Sequence, residues 1–190
     1  MLFKKLAKKS RSYRRFDGKH KISERTLLGL VELARFAPSM RNQQALKFLT
    51  SYEPAQNDLI FPALSWAGAL RDWKGPKPEE RPTAYIVILG DTRISTDYGP
   101  DYGIAAQNII LGATEKGLGG CMIGSISREL LRRNLNVPAH FKILLVVALG
   151  KPKEQIVLED VKVDGNITYY RDKKSYHHVP KRKLKDLIIG

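Results

Sequence analysis

Two unbroken runs of β-prone apolar residues most constrain what this chain can fold into. They are Ala84–Gly90 and Lys142–Leu149. Strands of this kind are buried on both faces, so helices must cover the sheet that contains them. Between the runs, Asp101–Lys116 has helical spacing, and Gly117 is a natural stop. This alternation of strands and helices predicts an α/β or α+β fold with a central sheet.

The flanking sequence predicts further elements. Glu24–Phe36 carries apolar residues at helical spacing, with Ser23 placed to cap it. Ala45–Ser51 is a predicted strand, and Ser127 is predicted to cap a short helix that runs through Arg133. We also predict a short helix between Ala63 and Trp73, within a segment rich in proline and glycine. Residues 153–190 have little core character, and a tail of this length must dock on another surface or stay disordered.

Length and composition favour one intracellular domain. The chain has 190 residues, of which 43% are hydrophobic, and these values are normal for one globular unit. Its single cysteine, Cys121, excludes an internal disulfide, suits a reducing cytoplasm and is expected to be a buried apolar filler. Residues 1–9 are basic but lack the apolar core of a signal peptide, and no segment is apolar enough to span a bilayer. We expect a cytoplasmic protein.

The net charge of +14 allows two interpretations. One is binding to nucleic acid or to an anionic membrane. The other is a solvated basic surface with sites for phosphorylated cofactors. Basic residues are spread from Lys4 to Lys185, without the aromatic or zinc-ligand patterns of nucleic-acid modules. A nucleic-acid or anionic-lipid module therefore remains an alternative, but the basic start is too short for a membrane anchor and favours an ordinary first helix.

Two small polar motifs carry the chemistry. The first comprises Arg11, Ser12 and Arg14, and the second, beyond one helix, comprises Pro38, Ser39, Asn42 and Gln44. Guanidinium and hydroxyl donors suit a phosphate. Amide side chains both donate and accept hydrogen bonds, which suits the polar edge of a flavin ring. From the residues alone, a solvated helix start and a polar loop remain open as interpretations.

The order of several motifs resembles the nitroreductase family of FMN-dependent oxidoreductases. Arg-Ser-x-Arg-x-Phe starts at Arg11, and Ala-Pro-Ser-x-x-Asn-x-Gln starts at Ala37. The segments that follow, at 105–113, 117–124 and 179–184, resemble the family's second helix, its glycine-rich strand and its basic carboxy-terminal segment. Together these pieces cover nearly the whole chain in the family's order.

The resemblance implies a fold and a set of contacts. The implied fold is α+β (α/β type), with a central, mostly antiparallel sheet flanked by helices, in an intertwined homodimer with a C-terminal extension. Residues 1–190 would form a single FMN-binding domain, with approximately 153–190 as an arm on the partner subunit. The implied flavin contacts from one subunit are Arg11, Ser12 and Arg14. The second motif would add Pro38, Ser39, Asn42 and Gln44, and the resemblance places Ser39 and Asn42 on the other subunit. Met122, Ile123 and Gly124 would lie along the ring, and Lys181 and Arg182 would reach the phosphate.

The resemblance also implies an activity, namely ping-pong hydride transfer from NADH or NADPH through flavin N5. The acceptor would be a small molecule such as a nitroaromatic or quinone. The flavin carries the electrons, so no catalytic side chain and no metal is assigned. A flavin protein with another redox reaction, such as dehydrogenation or dehalogenation, remains an alternative. Two departures from the family pattern are Ser10 before Arg11, which leaves the phosphate-binding arginine undecided, and Ala45-Leu46 after Gln44.

Three other features invite functional interpretations that we do not adopt. His177-His178 is expected to be a surface pair, because adjacent side chains in an extended segment point apart and no further ligands follow at metal spacing. Gly117-x-Gly119-Gly120 follows a helix, whereas a dinucleotide-binding fingerprint follows a strand. Trp66 could stack on a substrate, but core packing explains it equally well.

Overall fold

A four-stranded antiparallel sheet forms the centre of the protein. A computed structural model describes residues 2–162 and 165–189. The helices are α1 (Phe3–Lys9), α2 (Glu24–Arg35), α3 (Pro54–Ile60), α4 (Asp101–Glu115) and α5 (Arg128–Asn134). The strands are β1 (Leu46–Ser51), β2 (Ala84–Asp91), β3 (Gly119–Ile123), β4 (Phe141–Gly150), β5 (Ile156–Asp160), β6 (Tyr170–Arg171) and β7 (His177–Lys181). The central sheet has the order β1-β2-β4-β3.

The two predicted buried runs pair with each other at the middle of this sheet. In β2 every residue is buried, and its register with β4 places Val87 opposite Val146. Alternate residues of β2 divide between two cores, as the period of a strand requires. Ile86 and Ile88 face the core shared with α2 and α4, whereas Val87 faces the core that includes side chains of α3 and α5. The predicted sheet flanked by helices is confirmed.

Helices α2 and α4 pack against each other on one face of the sheet. The Ser23 side chain accepts a hydrogen bond from Thr26 N, as a cap of α2 should. Gly112 of α4 lies so close to α2 that an added Cβ would stand 2.2 Å from Leu33 Cδ1. Gly117 ends the segment with a φ of +74°, a conformation that favours glycine. Both predicted helices are therefore confirmed to within one residue.

The predicted helix between Ala63 and Trp73 is wrong. The helix of this region is α3, which begins earlier at Pro54 and continues as a 3₁₀ turn over Phe61–Ala63. Leu64 is already extended and pairs with Ile126, after which the chain continues in turns. Proline is favoured in the first turn of a helix, so Pro54 marks the true start. Ser127 does stand at the N-cap of α5, but its side chain makes no capping hydrogen bond.

The carboxy-terminal region contains a sheet and buried polar residues that were not predicted from the sequence. It forms a second sheet of order β5-β7-β6, in which β5 and β7 are parallel. Glu154 and His177 are buried, at 7% and 1% exposure. The final apolar residues, from Leu184 to Ile189, are largely exposed after a 3₁₀ turn at Leu184–Asp186. That this arm packs on a partner subunit stays a prediction.

The amino-terminal segment runs along β3 and positions the first polar motif. Ser12 forms a parallel bridge with Gly120, and Tyr13 N donates to Gly120 O at 3.0 Å. Glycine is required here, since a Cβ at Gly120 would lie 2.7 Å from the backbone oxygen of Ala148. Across residues 2–162 and 165–189, no helix has the length and apolar character needed to cross a membrane.

We expect opposite stability changes from alanine at two glycines. Gly120→Ala should lower the free energy of unfolding by about 1–3 kcal/mol, because the new methyl group meets a backbone oxygen that cannot move alone. Gly29→Ala should raise it by about 1 kcal/mol, since Gly29 lies in α2 with no atom within 4 Å of an added Cβ. Urea denaturation measures both; equal effects would contradict the packing described for β3.

Candidate functional site

A cavity of about 370 Å³ collects residues from both ends of the chain. Among the residues predicted from sequence, Arg11, Ser12, Arg14, Met122 and Lys181 line it. The amino-terminal segment supplies the first three, β3 supplies Met122 and β7 supplies Lys181. No carboxylate lies among the described lining residues, so the cavity carries a net positive charge and suits an anion.

Arg11 and Arg15 differ in their partners. Arg11 Nη2 donates to Ala7 O at 2.9 Å, while its buried Nε has no hydrogen-bond partner among the described residues. Arg15 instead forms a two-pronged pair with Glu80, at 2.8 Å from Nε and 2.6 Å from Nη2. The Arg15 hydrogen bond holds the pKa of the Glu80 carboxyl below its usual value. Arg15 thus has a structural role in its pair with Glu80, whereas Arg11 retains an N–H group that can donate to a ligand.

The Glu154 carboxylate joins the two ends of the chain. It accepts hydrogen bonds from the backbone N–H groups of Arg14 and Arg15, the latter at 3.2 Å. On the other side it accepts from Arg171 Nη2 at 3.1 Å, and its side chain is fully buried. Glu154 therefore fixes the backbone that carries Arg14 against the carboxy-terminal sheet.

Strand β7 contributes one face to the cavity. His177, Val179 and Lys181 all line it, and residues two apart in a strand share a face. Sequence reasoning assigned only Lys181 to the site. If β7 had been predicted as a strand, the residues two and four positions before Lys181, Val179 and His177, would have been expected on the same face.

His177 is the most enclosed polar group of the cavity. The ring stacks at an angle on Tyr169, with centroids 5.2 Å apart, and Nε2 lies 3.3 Å from Arg14 Nη1. Burial, and then the charge of Arg14, lower the pKa of His177 to about 4. The imidazole is consequently neutral at physiological pH. The predicted surface pair is wrong for this residue, which is 1% exposed.

His178 points to the opposite face and has a different environment. Nδ1 lies 3.1 Å from Glu159 Oε2, Nε2 lies 3.4 Å from Asp172 Oδ2, and the ring stacks on Tyr170. The hydrogen bond with Glu159 raises the pKa of His178. As predicted, the two adjacent rings point apart. Across the described parts of the chain, no cluster of three or more His, Cys, Asp or Glu side chains could hold a metal ion.

A smaller cavity of about 140 Å³ adjoins the first. The two share Arg14, Met122 and Tyr169 in their walls. The predicted residues Ile123 and Gly124 line the smaller cavity, as does Trp66, which also packs 5.9 Å from Phe61. Cys121 is buried there, and burial raises the pKa of its thiol, which agrees with the predicted filler role. Trp66 therefore serves both the core and a cavity wall.

The second polar motif lies elsewhere in the chain. Pro38, Ser39 and Gln44 line a cavity of about 230 Å³ that shares no residue with the 370 Å³ cavity. Asp101 Oδ2 accepts from Ser39 Oγ at 2.8 Å, and Ser39 Oγ accepts from Gln44 N at 3.0 Å. Asn42 is exposed on this loop and Arg182 is exposed after β7, and neither lines the 370 Å³ cavity.

The loop itself has an unusual backbone. Arg41, Asn42 and Gln44 have positive φ values of 53°, 53° and 51°. Non-glycine residues rarely adopt this conformation, and three within four positions cost free energy that other contacts must offset. Asp101 supplies such contacts by accepting from Met40 N at 2.9 Å as well as from Ser39. Asp101, the first residue of α4, therefore fixes this loop.

Comparison with known proteins gives the class. The model of the Nitroreductase family matches residues 7–151, so the chain belongs to the nitroreductase family. A protein of Archaeoglobus fulgidus, named for NADH dehydrogenase/NAD(P)H nitroreductase activity, is 26% identical over 142 residues, which cover 70% of this chain and 76% of that protein. These matches confirm the resemblance seen in the sequence.

Solved structures agree with the fold. A nitroreductase family protein from Clostridium novyi NT is 26% identical, with a TM-score of 0.67, and the match covers 80% of this chain and 88% of that one. An FMN-dependent nitroreductase from Clostridium difficile R20291 is 21% identical, with a TM-score of 0.62 and coverage of 79% and 87%. The nitroreductase-like α+β fold is thereby confirmed.

Removing the charge of Glu154 should weaken the junction of the two chain ends. We expect Glu154→Gln to lower the free energy of unfolding by about 1–3 kcal/mol, because buried donors lose a charged acceptor. Glu159→Gln is the matched control; its partly exposed pair with His178 should change stability by less than about 1 kcal/mol. Urea denaturation of both variants tests this, and equal effects would count against the role given to Glu154.

The low pKa of His177 predicts a pH dependence of stability. In the unfolded chain this histidine takes up a proton near its ordinary pKa of 6.5, but in the folded protein only near 4. The unfolded state thus binds more protons in this window, and stability should fall as the pH drops from 6.5 to 4. His178 contributes a pH dependence of stability with the opposite sign, since its pKa is raised on folding.

The contribution of His177 is isolated by comparing wild type with His177→Gln. The free energy of unfolding of the variant should depend less steeply on pH between 6.5 and 4. The measurement is urea denaturation at several pH values. An unchanged slope would show that His177 titrates normally in the folded protein.

Proposed function

We propose that the protein is an FMN-dependent NAD(P)H oxidoreductase that uses the 370 Å³ cavity and its 140 Å³ neighbour. One observation carries this proposal: Arg11, Ser12, Arg14 and Lys181, from opposite ends of the chain, line a single cavity with a net positive charge. The nitroreductase and FMN-dependent names of the similar proteins support the same cofactor.

The residues present fit FMN. The larger cavity falls within the range of about 300–1,000 Å³ typical of small-ligand sites. The buried Nε of Arg11, which has no partner among the described residues, supplies a donor for a phosphate oxygen. Ser12 and Lys181 add a hydroxyl and an ammonium group to the same wall. Arg14 and Met122, shared by both cavities, stand where a ligand that extends from one cavity to the other must pass.

The chain would bind and orient while the cofactor supplies the redox chemistry. When bound, FMN supplies two-electron transfer at N5, from NADH or NADPH to a nitroaromatic, quinone or similar acceptor in a ping-pong sequence. Arg14 would place its guanidinium at the polar edge of the ring, where a cation favours the reduced, anionic form. Trp66 and Gly124 would bound the space for the electron donor and acceptor. No side chain is assigned a catalytic proton transfer.

A homodimer is part of the proposal. Pro38, Ser39 and Gln44 line a cavity separate from that of Arg14, so a flavin that uses both motifs would take the second from another copy. Exposed apolar residues support assembly, among them Leu28 and Phe36 of the α2 region at 55% and 63% exposure. Sedimentation of the purified protein tests this. A cytoplasmic location is proposed with it.

A titration with FMN tests the function. We expect the purified protein to bind FMN and the absorbance of the oxidised flavin to bleach anaerobically with NADH or NADPH. Arg14→Ala should weaken FMN binding at least about tenfold, because a charged hydrogen-bond donor is lost. The control is the pair Lys4→Glu and Lys5→Glu, exposed on α1, which should leave FMN affinity unchanged.

Other outcomes assign other functions. A folded protein without affinity for FMN would overturn the proposal. Steeply salt-dependent binding to a polynucleotide, lost in the Lys4 and Lys5 variants, would favour the nucleic-acid alternative. FMN binding without turnover of nitroaromatics or quinones would favour dehydrogenation or dehalogenation instead.

A further inference from the structure

We propose that His177 is a positioning residue that holds the Arg14 guanidinium at the boundary between the two cavities. This inference rests on the proposed function, because the group that Arg14 would meet there is the polar edge of FMN. His177 acts through Arg14 and takes no part in electron transfer.

The contacts of Arg14 carry this inference. Its Nη1 donates to Ser12 O at 3.2 Å and lies 3.3 Å from His177 Nε2. Its Cζ lies 4.8 Å from the centroid of the Tyr169 ring, in a cation–π contact. Ser12 is a neighbour in sequence, so His177 and Tyr169 are the two distant groups that fix where the guanidinium points.

The three groups that hold the Arg14 guanidinium are neutral, and this distinguishes Arg14 from Arg15 and Arg171. Arg15 is paired with Glu80, and Arg171 with Glu154. Among the described residues, no carboxylate pairs with the Arg14 guanidinium; Glu154 accepts only from its backbone N–H. A carboxylate partner would offset the charge that Arg14 presents to a ligand. A neutral acceptor orients the guanidinium without neutralising its positive charge.

The surroundings of His177 keep it neutral. Burial is the main cause of its lowered pKa. Arg14 from the amino-terminal segment, Arg171 from β6 and His178 beside it on β7 further disfavour its protonation. The negative charge of Glu154 is bound by Arg171 and by two backbone amides. Since Nε2 must accept from Arg14, the proton resides on Nδ1, which is buried without a partner among the described residues.

Adjacent histidines provide the variants for a test. His177→Phe keeps a ring against Tyr169 and removes the acceptor. His177→Gln places an amide oxygen near the position of Nε2, whereas the shorter His177→Asn cannot reach it. His178→Gln is the matched control, because its ring faces Glu159 and Asp172 on the opposite side of β7.

The measurements are the Kd for FMN, from flavin fluorescence, and the midpoint potential of the bound flavin. We expect His177→Phe and His177→Asn to bind oxidised FMN about tenfold more weakly, since Arg14 loses its orienting acceptor. Their potentials should fall, because the reduced anionic flavin loses more affinity than the oxidised form. His177→Gln should recover both values, and His178→Gln should match the wild type.

The proposed function and the role of His177 can fail separately. A wild-type protein that does not bind FMN would overturn the proposed function. Wild-type affinity and potential in His177→Asn, with FMN bound, would overturn only the role of His177. If His177→Phe does not fold, as judged by circular dichroism, the comparison of the Gln and Asn variants still decides the matter, and equal values in that pair would refute the inference.

Discussion

The buried carboxylate of Glu154 is the interaction on which the arrangement of the site depends. It accepts from the backbone of Arg14 and Arg15 and from the side chain of Arg171, so it ties the first polar segment to the carboxy-terminal sheet. A buried carboxylate is costly unless its oxygens are satisfied by donors, and these three supply them. This junction helps to fix the wall formed by β7 relative to the wall formed by Ser12 and Arg14.

The distribution of carboxylates explains how two adjacent arginines acquire different roles. The two side chains have different partners. Arg15 turns to Glu80, which Lys153 also approaches at 3.5 Å, and this pairing is structural. Arg14 turns to the cavity, where the groups that hold its guanidinium are neutral. A charged side chain that is oriented but not neutralised is what an anionic ligand requires, and the proposed flavin site makes use of it.

Most of the central fold was predictable because its apolar residues follow a clear pattern in the sequence. Part of the site was not predictable because its strand lacks such a pattern. The runs that became β2 and β4 are apolar throughout, and α2 has a clear apolar stripe, so their positions follow from the sequence. The helix over 63–73 was wrong because Pro54 starts the helix earlier and Leu64 is extended. Strand β7 was missed since its buried member is a histidine, whose burial depends on Arg14 and Tyr169, residues distant in sequence.

The loop after α2 shows why residue types alone could not place the second motif. Ser39 was assigned to the flavin, yet its hydroxyl already donates to Asp101 and accepts from Gln44 N. The Ser39 hydroxyl therefore has a structural role, which is to hold a backbone with three positive φ values. Such a strained conformation persists only where other contacts stabilise it. Asn42 and Gln44 are exposed on this loop, and neither lines the 370 Å³ cavity of their own chain. Exposed amides on a rigid, strained loop are suited to a ligand shared with a second copy, which is the arrangement that the proposed dimer requires.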